Sequence, residues 1–144
     1  MDIFEAILED HEVQRELIDK LMDTKGDSQE RKKIFKRLRS NLETHAEAEE
    51  RHFYKPLISK DSTQDQARHS IAEHEDIDDL LDKLEATEMD SPAWMDTAKK
   101  LKHEVIHHLD EEEEDVFPMA DGVLEDKKLE DLALKYRAYM NENS

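Results

Sequence analysis

The sequence predicts an all-α fold: an up-down-up-down four-helix bundle with a short fifth helix at the C-terminus. Three observations lead there. Fold-breaking residues are scarce, with Gly 2 and Pro 3 in 144 residues, too few for the many turns of a β-sandwich or barrel. Apolar residues recur at helical rather than alternating spacing from end to end. The interruptions are short, so consecutive helices fold back antiparallel on one another. A charged content of 42% and a net charge of −18 would suit a disordered chain, but disorder carries no such periodicity.

The first helix runs from Asp2 to about Met22, striped by Ile3, Phe4, Ile7, Leu8, Ile18 and Leu21. Lys25-Gly26-Asp27 ends it, with Gly26 placed as a helix C-terminus favours. Ser28 reads as the N-cap of a second helix, with Glu30 in its first turn. This helix carries Ile34, Phe35, Leu38, Leu42 and Phe53 towards Pro56. Asp61-Ser62-Thr63 opens the third, with Ala67, Ile71, Ile77, Leu81 and Leu84 on its stripe. Ser91-Pro92, an N-cap followed by proline at the first helical position, opens the fourth. Trp94, Ala98, Leu101, Val105 and Val116 follow, to an end near Pro118. After Asp121-Gly122 a shorter helix spans about 124–140. The expected organisation is one domain over 1–144, with the bundle over about 2–118 and no linker or low-complexity tail.

Composition removes several function classes. Lys+Arg 21 against Asp+Glu 39 gives no basic footprint for nucleic acid or anionic membranes. Zero cysteines exclude disulfides, thiolate zinc sites, iron–sulfur ligation and cysteine nucleophiles. No apolar run approaches the roughly 20 residues of a membrane span. The start Met-Asp-Ile-Phe-Glu lacks a signal peptide's basic and apolar regions, so a cytoplasmic protein is expected. No glycine-rich phosphate loop or activated serine motif is present.

The informative residues are polar ones on apolar stripes. His11 follows Ile7 by four residues and precedes Ile18 by seven. His45 lies seven after Leu38, with Glu49 a turn further on. His74 lies midway between Ala67 and Leu81, and His108 seven after Leu101 with Glu112 continuing towards Val116. At 100° per residue all six point inward. Buried carboxylates need positive charge nearby, yet no Lys or Arg shares those stripes at that level. A metal cation would satisfy Glu49, Glu112 and the four imidazoles together.

An internal repeat supports this independently of helical phase. Shifting the chain by 63 places His11 on His74, His45 on His108, Glu49 on Glu112, Glu50 on Glu113 and Ser28 on Ser91. Leu8, Leu38 and Leu42 fall on Ile71, Leu101 and Val105. The repeat unit is a helical hairpin, and two copies about a pseudo-twofold axis bring two equal sets of His, His and Glu together. That duplicated set suits two metals bridged by carboxylates.

The His-x-x-x-Glu spacing alone carries little weight, because His69–Glu73 and His107–Glu111 share it. His107 lies 100° off the stripe, so His108 is the better ligand, and His69 and His103 are off it and expected in solvent. His52 is on the stripe but about 10 Å beyond His45, which suggests either a supporting partner of the site or the bundle end. Glu104 and Asp78 lie one turn from His108 and His74, as candidate extra ligands or supporting partners. Trp94 and the methionines read as packing residues.

With these residues in view, the sequence resembles the hemerythrin-like, HHE cation-binding family. The pieces that carry the likeness are His11, His45-Ala-Glu-Ala-Glu49-Glu50, Glu73-His74-Glu75 and His108-Leu-Asp-Glu-Glu112-Glu113, running into Val116-Phe117-Pro118. The resemblance spans about residues 1–120. It implies a four-helix bundle holding two non-haem Fe ions, oxo- or hydroxo-bridged, with the two glutamates bridging. It also exposes a departure. Oxygen-carrying hemerythrins have a further histidine one turn before the third-helix ligand, where this chain has Ser70. Each iron would then have about four protein bonds and room for solvent or substrate. Glu73 or His69 would fill the gap only if the helix were distorted.

The function expected is a di-iron protein that binds or reacts with a small diatomic or peroxide (O2, NO, H2O2), served by an unidentified electron donor. An iron, oxygen or redox sensor is the alternative, and a metal-free bundle with mutually paired His and Glu is a third reading. Zn or Mn are possible substitutes for iron, since His and carboxylate ligation excludes neither.

Overall fold

In the computed structural model, which describes residues 1–143, the Asp2 side chain accepts a hydrogen bond from the Glu5 N–H at 2.9 Å and starts α1 (Ile3–Met22). Ser144, the last residue of the expected domain, lies outside that range. Ser28 caps α2 (Gln29–Glu49) by accepting from the Arg31 N–H at 3.1 Å. Gly26 does not end α1. That helix stops at Asp23, and Gly26 adopts φ +58° in the turn beyond, a conformation in which a Cβ is strained.

The other two starts hold by position, not by capping. Thr63 precedes α3 (Gln64–Glu85) but donates its hydroxyl to the Leu57 carbonyl. Ser91 precedes α4 (Pro92–Glu111), with Pro92 in the first turn as expected. Its hydroxyl donates to the Glu88 carbonyl at 2.7 Å, closing the preceding turn instead of covering the helix N-terminus. The last helix, α5 (Asp126–Asn143), starts two residues later and ends three later than the expected 124–140.

Periodicity did not indicate that α2 and α4 each continue through one widened, π-helical turn, Glu50–Tyr54 and Glu112–Val116. There Lys55 donates to the Glu50 carbonyl and Phe117 to the Glu112 carbonyl, five residues back. Short helical segments Lys55–Ile58 and Phe117–Asp121 follow. Pro56 and Pro118 sit just past each widened turn. A proline ring in regular α-helix clashes with the carbonyl four residues back and has no N–H to donate, and a wider turn relieves both.

Helices α1 and α2 pair, α3 and α4 pair, and α5 packs across α1 and α2. The apolar core is in two parts. One cluster, containing Ile3, Phe53, Val116 and Tyr136, lies beneath α5. The other, containing Leu17, Leu38, Leu81, Trp94 and Leu101, fills the opposite end. Residues 11, 45–49, 74 and 108–112 fall between the two along every helix, so a polar layer is held between two apolar ones. Among the described residues no helix is long and apolar enough to cross a membrane.

Candidate metal centre

The six inward residues meet in that middle layer. His11 and Glu112 are fully buried, as is Glu49, while His45, His74 and His108 are at most 6% exposed. Their donor atoms form two groups, His11, His45, Glu49 and Glu112, and Glu49, His74, His108 and Glu112, each within 4.8 Å. Glu49 and Glu112 belong to both groups. The two histidine pairs therefore stand either side of a shared carboxylate pair, in the arrangement that two bridged cations require.

Every imidazole presents Nε2 to the centre and is fixed from behind through Nδ1. The inward contacts are His11 Nε2 to Glu112 at 2.9 Å, His45 Nε2 to Glu49 at 3.1 Å, and His74 Nε2 to Glu49 at 3.2 Å. His74 and His108 approach each other Nε2 to Nε2 at 3.1 Å. On the outer side His11 Nδ1–H donates to Glu113 at 2.7 Å, His74 to Glu50 at 2.9 Å, and His108 to Glu73 at 2.8 Å. His45 Nδ1–H donates to the Tyr136 hydroxyl, which donates to Asp10. An Nδ1–H held by an outer acceptor leaves the Nε2 lone pair free for a cation.

Glu49 Oε2 is buried with no hydrogen-bond partner, and His45 Nε2, though 3.1 Å from Glu49 Oε1, is not aligned to hydrogen-bond it. Orphaned buried polar atoms are costly, and a cation at the centre would satisfy both. The set of four imidazole nitrogens and two carboxylates fits iron, zinc or manganese.

The electrostatics of the cation-free layer agree. Burial lowers the basicity of His45, but Glu49 and Asp10 override it and push its pKa up to about 10. His74 rises to about 9, because Glu49 and Glu50 outweigh its burial. Burial and the facing Glu49 raise Glu112. Glu49, despite its burial, is held well below the usual carboxylate range, chiefly by His45. Protons on the imidazoles thus supply the positive charge that a metal would supply in their place.

Other candidates resolve differently. His69 and His103 are exposed, as expected, His107 is exposed too, and His52 is half-buried against the Tyr139 ring at 5.9 Å. Asp78 is exposed and Glu104 only partly covered. Neither joins a donor group, although Asp78 lines the narrow cavity beside His74. Glu73 does not reach the centre but supports His108 from behind, with no distortion of α3.

Three contributors escaped the sequence pattern. Tyr54, fully buried, donates its hydroxyl to Glu112; it is the last residue of the widened turn. Tyr136 reaches in from α5. Gln14, also fully buried, donates to Asn41 at 2.9 Å while its Oε1 has no partner. The repeat does hold a signal for the outer acceptors, because Asp10 falls on Glu73 under the same shift that relates Glu50 and Glu113.

A narrow cavity of ≈ 10 Å³ adjoins the histidines, lined by Gln14, Leu42, His45, His74, Ile77 and Val105 among others. That is about the space of one water molecule, so only a very small ligand fits without rearrangement.

Residues 2–120 match the Hemerythrin HHE cation binding domain. A solved structure from Mycobacterium kansasii, described as a Hemerythrin HHE cation binding domain-containing protein, superposes with a TM-score of 0.90. It is 28% identical, and the match covers 99% of this chain and 87% of that one. No curated protein matches the sequence.

Proposed function

Because the chain belongs to the hemerythrin HHE cation-binding domain family, we propose that it is a non-haem di-iron protein that binds or reacts with a small diatomic or peroxide (O2, NO or H2O2). His11 and His45 would hold one iron and His74 and His108 the other, with Glu49 and Glu112 available to both. The observation that carries this reading is the sharing of Glu49 and Glu112 by both donor groups, with Nε2 of all four imidazoles turned to the same centre.

Iron, when bound, would supply reversible electron transfer and a Lewis-acidic centre for a small ligand. The protein's own residues do the rest. Glu113, Glu50, Glu73 and Tyr136 hold the imidazoles in one tautomer. Tyr54 donates to Glu112 and fixes that carboxylate's orientation. Leu42, Ile77 and Val105 limit water in the adjoining cavity, which favours small ligands over bulky ones.

Elemental analysis of protein purified without chelator, with an anaerobic-to-aerobic optical titration of reduced, iron-loaded protein, tests this. Two irons per chain and an absorption change on oxygenation are expected, both lost in Glu49→Ala and Glu112→Ala. Iron-loaded protein that retains no metal, or a spectrum indifferent to oxygen, peroxide and nitric oxide, overturns it.

One observation favours a sensing role on the same centre. His45 is linked through Tyr136 to α5, so iron loading or redox change at His45 has a route to the C-terminal helix. Limited proteolysis of α5 with and without iron reads this out, and equal protection in both states removes the basis for sensing.

A further inference from the structure

The two His-x-x-x-Glu pairs left outside the buried layer, His69–Glu73 on α3 and His107–Glu111 on α4, meet each other across the helix pair. His69 Nε2 lies 2.9 Å from Glu111 Oε1 and 3.5 Å from Glu73 Oε2. His107 Nε2 lies 3.1 Å from Glu111 Oε2 and 3.7 Å from Glu73 Oε2. The imidazoles are more than half exposed, at 55% and 58%, while Glu73 and Glu111 are largely covered, at 10% and 16%. We propose that His69, Glu73 and Glu111, whose donor atoms converge, form a second, surface metal site for a borderline divalent cation such as Zn2+, with His107 as a flanking fourth donor beside Glu111.

Geometry is the first support. Tetrahedral zinc with bonds of about 2.0–2.1 Å holds its ligand atoms about 3.3 Å apart. The four His–Glu separations scatter on both sides of that value. The donor atoms of His69, Glu73 and Glu111 also lie within 4.8 Å of one another. Mixed imidazole and carboxylate donors favour zinc and neighbouring transition metals over calcium or magnesium, which prefer oxygen throughout.

The internal repeat is the second support, and it is independent of these distances. Shifted by 63, His69, His107 and Glu111 correspond to Ala6, Thr44 and Ala48 in the first hairpin. Ala6 and Ala48 are buried on the α1–α2 face, against which α5 packs. The matching α3–α4 face leaves both imidazoles in solvent. Where one copy of the repeat has small residues under a helix, the other has two imidazoles and a carboxylate converging at an open surface.

Glu73 divides its two oxygens between the sites. Oε1 accepts from His108 Nδ1–H at 2.8 Å, and Oε2 faces His69 and His107. The surface site thus uses an oxygen that the buried layer leaves free.

The test is calorimetric titration of the iron-loaded protein with Zn2+, followed by desalting and elemental analysis of both metals. One zinc per chain is expected with the iron count unchanged. Affinity should fall at least tenfold in His69→Ala and in His107→Ala, and zinc binding should vanish in the double variant with iron retained. The proposal is overturned by wild-type protein that takes up no zinc, by zinc uptake matched by iron loss, or by a double variant that binds zinc as the wild type does. Iron content reports on the buried centre and His69/His107-dependent zinc on the surface, so the two readings fail separately.

Discussion

Asp10 and Glu73 stand at equivalent places in the two hairpins, and each supports a histidine of the neighbouring helix at a different reach. Glu73 accepts directly from His108 Nδ1–H at 2.8 Å. Asp10, one methylene shorter, stays 3.6 Å from His45 Nδ1, and the Tyr136 hydroxyl completes the link. The fifth helix therefore supplies an atom that the first hairpin lacks. A C-terminal addition to a duplicated hairpin becomes part of the support of the metal layer.

Tyr136→Phe tests this. The substitution keeps the ring in its apolar cluster but leaves His45 Nδ1–H without its acceptor. Loss of such an outer partner weakens metal binding by about 10–100-fold. Chelator competition on the loaded protein should show one weakened metal per chain and one unchanged. Equal affinities in variant and wild type would mean that α5 only packs.

Much of this arrangement was readable in the sequence, and the unread part has a common cause. The helical stripes placed His11, His45, Glu49, His74, His108 and Glu112 inward because each lies on a regular helix at 100° per residue. Past Glu49 and Glu112 the widened turns add a residue per turn and break that phase, so Tyr54 was not expected beside Glu112. Tyr136 was hidden for another reason: its partner His45 is 91 residues away, and α5 has no counterpart in the repeat. Ser91 and Thr63 marked helix starts correctly, yet their hydroxyls serve the preceding turns. Position along a chain predicts a boundary better than it predicts which hydrogen bond a serine makes there.

The pH dependence of stability should change with metal loading. In the metal-free protein His45 and His74 are raised to about 10 and about 9, against about 6.5 in an unfolded chain. The folded state then holds protons that the unfolded state releases. The stability they contribute is fully present below about pH 6.5 and is lost as pH rises through about 9 to 10. In the loaded protein the imidazoles are neutral ligands, so stability rises up to about pH 6.5 and then levels. Urea midpoints at about pH 6, 7.5 and 9 check this, and parallel curves for the two forms would contradict it.

Arg31 offers a variant that separates folding from metal binding. It is 4% exposed, donates to the Thr24 hydroxyl and carbonyl and to the Met89 carbonyl, and lies 4.5 Å from the Trp94 ring centre. Arg31→Leu leaves those acceptors unpaired and should cost about 1–3 kcal/mol. The site lies in the apolar end remote from the histidines, so iron content should stay at the wild-type value. A fall in iron content in still-folded protein would show coupling between the two ends.

If the proposed function holds, Gln14 should distinguish among the small ligands. Its Oε1 is buried without a partner and its side chain lines the cavity beside His45, His74 and His108. An acceptor there can take a hydrogen bond from hydrogen peroxide, which carries O–H groups, but not from O2 or NO, which carry none. Gln14→Leu keeps the approximate shape and removes the acceptor, together with the Nε2 donation to Asn41, which bears equally on every ligand. Loss of one hydrogen bond of about 1–1.5 kcal/mol raises the apparent dissociation constant for peroxide roughly 5- to 13-fold, with nitric oxide binding unchanged. Optical titration of iron-loaded wild type and variant with each ligand measures both. An equal loss for peroxide and nitric oxide would mean that Gln14 shapes the cavity and does not read the ligand's protons.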